Sequence, residues 1–181
     1  MKTIELIKSD LFRYYGFLSL TIFIKAFFFN RGFIYMFWFR WSQSNIKIIS
    51  SFSKIILLLK NRKFGIDIPY STKIGYGFYI GHGGPVIISP TAIIGNNCNI
   101  SQYTTIGSNK DKSAVIGDNV YLGPSVCIVE NIIIEDNVTI GAGSVVTKNI
   151  PSNATVAGNY AKILNYNEPG KFIKNRWELL Q

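Results

Sequence analysis

The chain has 181 residues, 48% of them hydrophobic and 16% charged, with a formal net charge of +9. This apolar content excludes a disordered chain, and the length suits one domain with a smaller element attached to it. The two cysteines, Cys98 and Cys127, show neither metal-ligand spacing nor a disulfide pattern, which favours a reducing compartment.

The positive charge and the aromatic residues are concentrated in the first third of the sequence. Residues 1–66 contain 11 Lys and Arg against 2 Asp and Glu, whereas residues 67–181 contain 8 of each. Residues 1–66 also contain 16 of the 26 aromatic residues. We therefore expect two segments of different character, a basic aromatic one followed by a neutral one.

The basic aromatic segment is predicted to be helical. The stretches "LSLTIFIKAFFFN" and "SNIKIISSFSKIILLLKNRK" have wide apolar faces, with apolar residues at steps of three and four in the second. Basic residues interrupt the long apolar runs, so a membrane-spanning helix is not expected. The opening "MKTIELIKSDLFRYYG" carries acidic residues and lacks a small-residue cleavage site, so we do not interpret it as a signal peptide.

Two interpretations of residues 1–64 stay open. They form either a helical subdomain that packs on the rest of the protein or on another subunit, or an element that contacts a membrane surface peripherally. In the second interpretation Phe37, Trp38, Phe39 and Trp41 lie at the headgroup boundary and basic residues contact anionic lipid. Nucleic-acid binding is not expected, because the aromatic residues lie in apolar runs rather than among polar residues.

From Ile68 onward, aliphatic residues recur with a period of six, and a second apolar or small residue stands two positions before most of them. Six is not a helix period, and it predicts a solenoid with one short strand and one turn in each hexad. Two residues that are two apart on a strand point to the same side, here inward, and Gly, Asn and Asp fill the turns. The aliphatic positions are Ile68, Ile74, Ile80, Ile88, Ile94, Ile100, Ile106, Ile116, Leu122, Ile128, Ile134, Ile140 and Val146.

The period slips at two places. Ile80 and Ile88 are eight residues apart, and Ile106 and Ile116 are ten residues apart. Extra residues in a solenoid are pushed outward as loops. The first slip contains His82, the only histidine in the sequence, followed by two glycines. We therefore expect an imidazole on an outward bulge whose glycines give the backbone freedom to turn.

These hexads resemble those of the hexapeptide-repeat acyltransferases. The resemblance implies a left-handed parallel β-helix with three hexads in each triangular coil. It also implies a homotrimer that binds acetyl-CoA between neighbouring subunits. The expected fold is mainly β, with a helical segment at residues 1–66, the β-helix at 67–165 and a short C-terminal helix or tail at 166–181, covering the open end of the solenoid.

Within that family, "GIDIPYSTKIGYGFYIGHGG" is similar to the serine acetyltransferase branch. Asp67 and His82 keep the fifteen-residue separation of that branch's catalytic aspartate and histidine. By this match His82 is the general base for an acceptor hydroxyl, and Asp67 orients and stabilises its ring. The backbone N–H groups of Gly83 and Gly84 are candidate donors to the oxyanion. No metal is expected, because the zinc enzymes of this fold use three histidines.

The stretch "IGAGSVVTKNIPSNATVAGNYAKIL" is similar to the family's C-terminal signature. The match places Ala142 in the acetyl-CoA groove, with Pro124 one coil away from it. It places Thr147 and Lys148 near the nucleotide, and Lys162 beside a phosphate.

The acceptor expected from the sequence is a sugar. Three features differ from the serine acetyltransferase branch. Gly81 stands where that branch has an acidic residue before the catalytic histidine, and no histidine is found near Ser113, where that branch has a second one. The long helical domain of that branch is also absent from this sequence. The basic leader with "YIGHGG" more closely resembles O-acetyltransferases of bacterial surface-polysaccharide synthesis. We therefore expect acetyl transfer to a glycan or its lipid-linked precursor, in the cytoplasm or on the inner membrane face. Serine O-acetylation and a non-catalytic assembly scaffold are the alternatives.

Overall fold

A computed structural model describes residues 1–178, so the last three residues of the predicted tail lie outside the described part. Four helices come first: α1 (Thr3–Tyr15), α2 (Leu20–Phe29), α3 (Arg31–Ser42) and α4 (Lys47–Phe64). A three-sided parallel β-helix follows them. Its strands are β1 (Ile66–Asp67), β2 (Lys73–Ile74), β3 (Tyr79–Ile80), β4 (Val86–Ile88), β5 (Ile93–Ile94), β6 (Asn99–Ile100), β7 (Thr105–Gly107), β8 (Val115–Ile116), β9 (Tyr121–Leu122), β10 (Cys127–Val129), β11 (Ile133–Ile134), β12 (Thr139–Ile140), β13 (Val145–Val146), β14 (Thr155–Ala157) and β15 (Lys162–Asn165).

Local sequence sets the helix ends. The side chains of Ser19 and Asn30 cap α2 and α3 by accepting backbone N–H groups of the first turn at 3.1 and 3.0 Å. Helices α1 and α4 end at Gly16 and Gly65, whose φ angles of 76° and 69° lie in the left-handed region that favours glycine.

Successive strands enter three sheets in turn. Sheet 1 contains β1, β4, β7, β10 and β13, sheet 2 contains β2, β5, β8 and β11, and sheet 3 contains β3, β6, β9, β12, β14 and β15. All pairs are parallel except β14 with β15, which closes the end of sheet 3 in antiparallel fashion. One circuit of the chain therefore contributes one strand to each side of a triangular prism.

The hexad pattern fills the interior of this prism. Every aliphatic position predicted to face inward, and every position two residues before one, is at most 9% exposed. Burial of these side chains supplies the main stabilising term for a solenoid whose strands are only two to four residues long. The predicted β-helix is confirmed.

The strand register also confirms the two slips. Ile87 pairs with Thr105, so an uninterrupted coil has 18 residues. Ile66 pairs with Val86, because the coil between them contains the two extra residues of the first slip. Strands β5 and β8 are offset by 22 residues, since the second slip adds four. The extra residues leave the inward pattern intact and form loops at the prism surface.

A buried ion pair attaches the helices to the first coil. The guanidinium of Arg40 on α3 contacts the carboxylate of Asp10 on α1 at 2.8 and 3.0 Å. Arg40 also donates to the carbonyls of Ile74 and Gly75, and Asp10 accepts the N–H of Phe78 at 2.8 Å. Both charged groups are fully buried, and these hydrogen bonds compensate their loss of water.

Helix α3 packs inside the protein, so the expectation that its aromatic residues meet lipid headgroups is wrong. Phe39 is fully buried in the core, and Phe37, Trp38 and Trp41 are half-buried against other aromatic rings. These side chains connect the helices to one another and to the first coil.

The C-terminal tail is not helical in the described residues and does not cover the open end of the prism. It turns back along the outer surface of sheet 3 towards α1. The Phe172 ring lies 4.8 Å from that of Tyr121, and the N–H of Trp177 donates to the Asn97 side chain at 2.8 Å. The tail therefore reaches the same end of the prism as the helices.

Candidate active site

The turns that lead from sheet 3 into sheet 1 stack on one another along one edge of the prism, which we call the 3–1 corner. Backbone hydrogen bonds join successive turns, such as the one from Gly143 to the Pro124 carbonyl at 2.8 Å. His82, Pro124 and Ala142 all lie on this corner, in the first, third and fourth coils. Adjacent coils are separated by one strand spacing, so His82 and Ala142 lie roughly 14 Å apart along the prism axis. The turns comprise residues 81–85, 101–104, 123–126 and 141–144.

The turn that carries His82 is unusual in its backbone and in its packing. His82 has a φ of 58°, in the left-handed region that residues with side chains seldom adopt, and Gly83 follows at 55°. A Cβ on Gly83 would lie 2.5 Å from the Cβ of Arg31 and 3.0 Å from the backbone nitrogen of Gly32. The first turn of α3 thus presses directly on the histidine loop, and only glycine leaves room for it.

We predict that Gly83→Ala destabilises the protein by about 1–3 kcal/mol, because the methyl group meets backbone in a strained conformation. The control is Gly143→Ala, since Gly143 has a similar φ of 69° but no neighbouring atom within 4 Å of an added Cβ. Urea denaturation measures both. Equal losses of stability in the two variants would contradict close packing of the histidine loop on α3.

The same turn presents unused hydrogen-bond donors. Among residues 1–178, no protein acceptor takes the backbone N–H of Gly83 or Gly84. Two neighbouring free N–H groups beside an imidazole can stabilise an oxyanion. The oxyanion role of these glycines stays a prediction.

Asp67 lies on β1, next to strand β4, which follows the histidine loop. Its side chain and that of His82 are both exposed. Within the described chain, no hydrogen bond or ion pair joins the Asp67 carboxylate to the His82 imidazole. The predicted pairing is therefore not made in this structure, and catalytic hydrogen bonds often tighten only when substrate binds.

His82 stands on the rim between two clefts. The first has a volume of about 320 Å³ and lies between α1, the outer side of sheet 3 and the C-terminal tail. The second, of about 400 Å³, lies between the histidine loop and the junction of α2 and α3. No Asp or Glu of the described chain lines either cleft. Their basic lining residues are Arg13, Lys25, Arg31 and Lys174.

Arg13 is the buried cation of the first cleft. Its guanidinium donates to the carbonyls of Lys174 and Gly77 at 3.0 and 2.8 Å, and to the Asn99 side chain at 2.6 Å. Burial lowers the pKa of Arg13 to about 10, so it stays charged at neutral pH. The first cleft therefore keeps a positive charge and suits an acceptor with an anionic group.

Sequence analysis did not predict these lining residues. Tyr79, Asn99 and Tyr121 could have been found, because each directly precedes an inward hexad residue and so faces outward in one column of sheet 3. Arg13 and Lys174 gave no such signal, since α1 and the tail reach the cleft only through tertiary packing.

The residues predicted to bind acetyl-CoA fall into two groups. Pro124 and Ala142 lie on the 3–1 corner. Thr147, Lys148 and Lys162 line a third cleft of about 440 Å³ in the last coil, with strand β13 between the two groups. The cleft is largely apolar and carries two lysines at its edge, an arrangement that suits a ligand with apolar and phosphate parts.

Neither cysteine has the environment of a nucleophile. Cys98 is buried in the prism, its thiol donates to the Gly117 carbonyl at 3.1 Å, and burial raises its pKa to about 12. Cys127 lies on the outward side of β10 and is half-buried. Burial therefore keeps the Cys98 thiol protonated at neutral pH, which argues against a role as a nucleophile.

Comparison with known proteins agrees with this architecture. A family model described as "Bacterial transferase hexapeptide (six repeats)" matches residues 113–148. Serine acetyltransferase 3, mitochondrial, of Arabidopsis thaliana is 41% identical over 117 residues, which cover 61% of this chain and 30% of that protein. A serine acetyltransferase of Staphylococcus epidermidis is 45% identical over 98 residues, covering 52% and 46%.

Solved structures give the same result over more of the chain. Neisseria gonorrhoeae serine acetyltransferase in complex with serine has a TM-score of 0.76 and 27% identity, over 88% of this chain and 68% of that one. Soybean serine acetyltransferase apoenzyme has a TM-score of 0.77 and 26% identity, over 90% and 69%. The overlap includes the N-terminal helices as well as the coils, because the β-helix alone is shorter than this coverage.

The repeat, the triangular coil and the stacked corner define a β-helical protein of the hexapeptide type. The matches with solved enzymes identify its β-helix as the left-handed one. The chain is therefore similar to hexapeptide-repeat transferases over residues 113–148, and to solved serine acetyltransferases over most of its length. It spans only about a third to a half of the length of the curated relatives it matches.

The expected sugar acceptor is contradicted by these comparisons. The relatives and the solved structures are serine acetyltransferases, whereas the sequence was interpreted as closest to O-acetyltransferases of surface-polysaccharide synthesis. The interpretation gave too much weight to the basic leader and to the missing histidine near Ser113.

Proposed function

We propose that this chain is an acetyl-CoA-dependent O-acetyltransferase whose acceptor is the hydroxyl group of serine. The observation that carries the proposal is the position of His82, on the same corner as Pro124 and Ala142 and beside a positively charged cleft. The identity of the acceptor is inferred from the serine acetyltransferases among its relatives. Acetyl-CoA is the co-substrate.

In this proposal acetyl-CoA lies along the 3–1 corner. Its thioester is beside His82, its pantetheine arm passes Pro124 and Ala142, and its nucleotide end reaches towards Lys148 and Lys162. The spacing of roughly 14 Å between the first and fourth coils suits an extended arm. The two lysines would contact phosphate groups as cations.

The transfer needs no covalent enzyme intermediate. His82 accepts the proton of the serine hydroxyl while the serine oxygen attacks the thioester carbonyl carbon. The carbon–sulfur bond then breaks, and His82 returns the proton to the coenzyme A sulfur. Asp67 orients the ring and stabilises its protonated form, and the N–H groups of Gly83 and Gly84 donate to the oxyanion.

The acceptor would occupy the first cleft. Serine carries a carboxylate, and Arg13 and Lys174 give this cleft its positive charge. Gly81 also lines the cleft, where the serine acetyltransferase branch has an acid, so serine is held by a different set of groups in this chain. In this proposal Arg13 and Lys174 hold the serine carboxylate in the absence of a histidine near Ser113.

We further propose a homotrimer with each active site between two subunits. His82 and Asp67 are exposed in a single chain, although acyl transfer benefits from exclusion of water. The outer side of sheet 2 carries an exposed apolar column that a neighbouring subunit would bury. The column consists of Ile93, Val115 and Ile133.

The test is release of coenzyme A thiol from acetyl-CoA by the purified protein with a panel of acceptors. We expect serine to accelerate release by at least about tenfold over the rate without acceptor, and a neutral sugar to leave it at the background rate. Serinamide, which keeps the hydroxyl but lacks the carboxylate, should need a much higher concentration. Absence of serine-dependent release would refute the proposed acceptor.

A further inference from the structure

Helix α4 has its apolar face on the outside. Its inward side buries Ser53 and Leu57 against the rest of the protein, whereas the opposite side shows a continuous row of large apolar side chains. A helix on the surface of a soluble protein normally has the reverse arrangement. The outward residues, each more than half exposed, are Ile48, Phe52, Ile55, Leu58 and Leu59.

Helix α2 repeats this arrangement. Ala26 is its only fully buried residue, and Leu20, Phe28 and Phe29 are 68–82% exposed. The loop before it adds the exposed ring of Phe17. Ten residues of helix therefore bury little and expose several of the largest apolar side chains in the chain.

A series of aromatic rings joins the two helices. The ring centroids of Phe28 and Phe27 are 5.5 Å apart, and those of Phe27 and Trp38 are 6.4 Å apart. The Trp38 centroid lies 5.9 Å from that of Phe52 on α4. The exposed residues of α2 and α4 thus belong to one area, which we call the helical apolar surface. A contiguous apolar area of this kind on a soluble protein marks an interaction site.

The charges around this surface indicate the charge of its partner. Residues 20–64 contain eight Lys and Arg and no Asp or Glu. Arg40 is buried with Asp10, and the other seven cations have no acidic residue in these three helices to offset them. Two copies of this surface facing each other would bring like charges together, which opposes self-association. An anionic partner would be attracted.

We propose that α2 and α4 dock this protein on a membrane surface that contains anionic lipid. The apolar side chains enter the boundary between headgroups and acyl chains, and Lys25, Lys47, Arg62 and Lys63 contact the headgroups. Within residues 1–178 no single helix is long and apolar enough to cross a membrane, and α1 and α2, bent by 83° at the break between them, reach the required length and hydropathy only as a pair. This docking is independent of the proposed acetyl transfer.

The experiment is flotation of the full chain with vesicles of phosphatidylcholine alone or of phosphatidylcholine with phosphatidylglycerol. We expect binding to the anionic vesicles to be at least about tenfold stronger, and to fall as salt is raised. The double variant Phe52→Gln and Leu59→Gln should reduce this binding by at least about tenfold.

The matched control is Leu164→Gln with Tyr166→Gln, which removes equally exposed apolar side chains at the other end of the protein. Phe52 and Leu59 are each 56% exposed, and Leu164 and Tyr166 are 61% and 51% exposed. The control variant should bind anionic vesicles like the unmodified chain. Two results would overturn the proposal: no preference for anionic vesicles, or a change in assembly size of the Phe52 and Leu59 variant with unaltered vesicle binding. The second result would assign the surface to another copy of the chain.

Discussion

Replacement of His82 by Asn is expected to lower the rate of serine-dependent coenzyme A release by about 10²–10⁴-fold, the usual contribution of a positioned general base. Asn is the suitable replacement because it tolerates the left-handed backbone of this position better than most residues. In the described chain the imidazole makes no hydrogen bond that holds the fold together. Thermal unfolding should therefore be nearly unchanged.

The control for this variant is Tyr103→Asn. Tyr103 lies on the next coil of the 3–1 corner, is exposed, and has a φ of 62°, so the substitution imposes the same backbone requirement without touching the base. Assayed at saturating acetyl-CoA, it should keep most of the turnover. If His82→Asn turns over as fast as Tyr103→Asn, the general base has been assigned to the wrong residue.

Substitution of Asp10 by Ala is expected to cost about 3–5 kcal/mol of unfolding free energy, because it leaves the charge of Arg40 buried without its partner. The pair is fully buried, and the hydrogen bonds of Arg40 and Asp10 fix α1 and α3 to the first coil. The loss is measured as a shift in the midpoint of urea denaturation.

An exposed ion pair on the same helix provides the comparison. Glu5 and Lys8 contact at 2.9 Å with both side chains more than 40% exposed, and Glu5→Ala should cost at most about 1 kcal/mol. A second test is the Asp10→Leu and Arg40→Met double variant, whose cost should fall well short of the sum of the single ones. A cost for Asp10→Ala as small as that for Glu5→Ala would show that the helices are anchored in another way.

The β-helix could be predicted in detail because its information is local. A six-residue period fixes which side chains face inward, and a break in the period fixes where a loop leaves the prism. That reasoning located His82 on a bulge of the coil and stacked Pro124 under Ala142. It could not show that the histidine loop rests against the first turn of α3, since nothing near Gly83 in the sequence refers to Arg31 or Gly32.

The orientation of the helices was harder to predict, because some of their apolar faces turn towards the protein and others turn away from it. Phe37, Trp38, Phe39 and Trp41 form the most aromatic run of the sequence, yet they lie against the protein. The apolar side of α4, which periodicity correctly identified, faces outward instead of inward. Periodicity reports which residues share a helix face, whereas the side to which that face turns depends on contacts such as the Arg40 ion pair.

The cleft proposed for the acceptor depends on tertiary packing alone. Arg13 and Lys174 are 161 residues apart and are brought together by a hydrogen bond from the Arg13 side chain to the Lys174 carbonyl. Neither belongs to the hexads or to a motif. In the proposed function such residues recognise the acceptor, and they lie outside the repeat pattern that predicted the fold.

The central claim is that one corner of the prism holds both the base and the thioester. A crystal structure of the protein with coenzyme A tests it most directly. We expect the sulfur beside His82 and the pantetheine arm along the 3–1 corner past Pro124 and Ala142. Coenzyme A bound along another edge of the prism, with its sulfur remote from His82, would contradict the account.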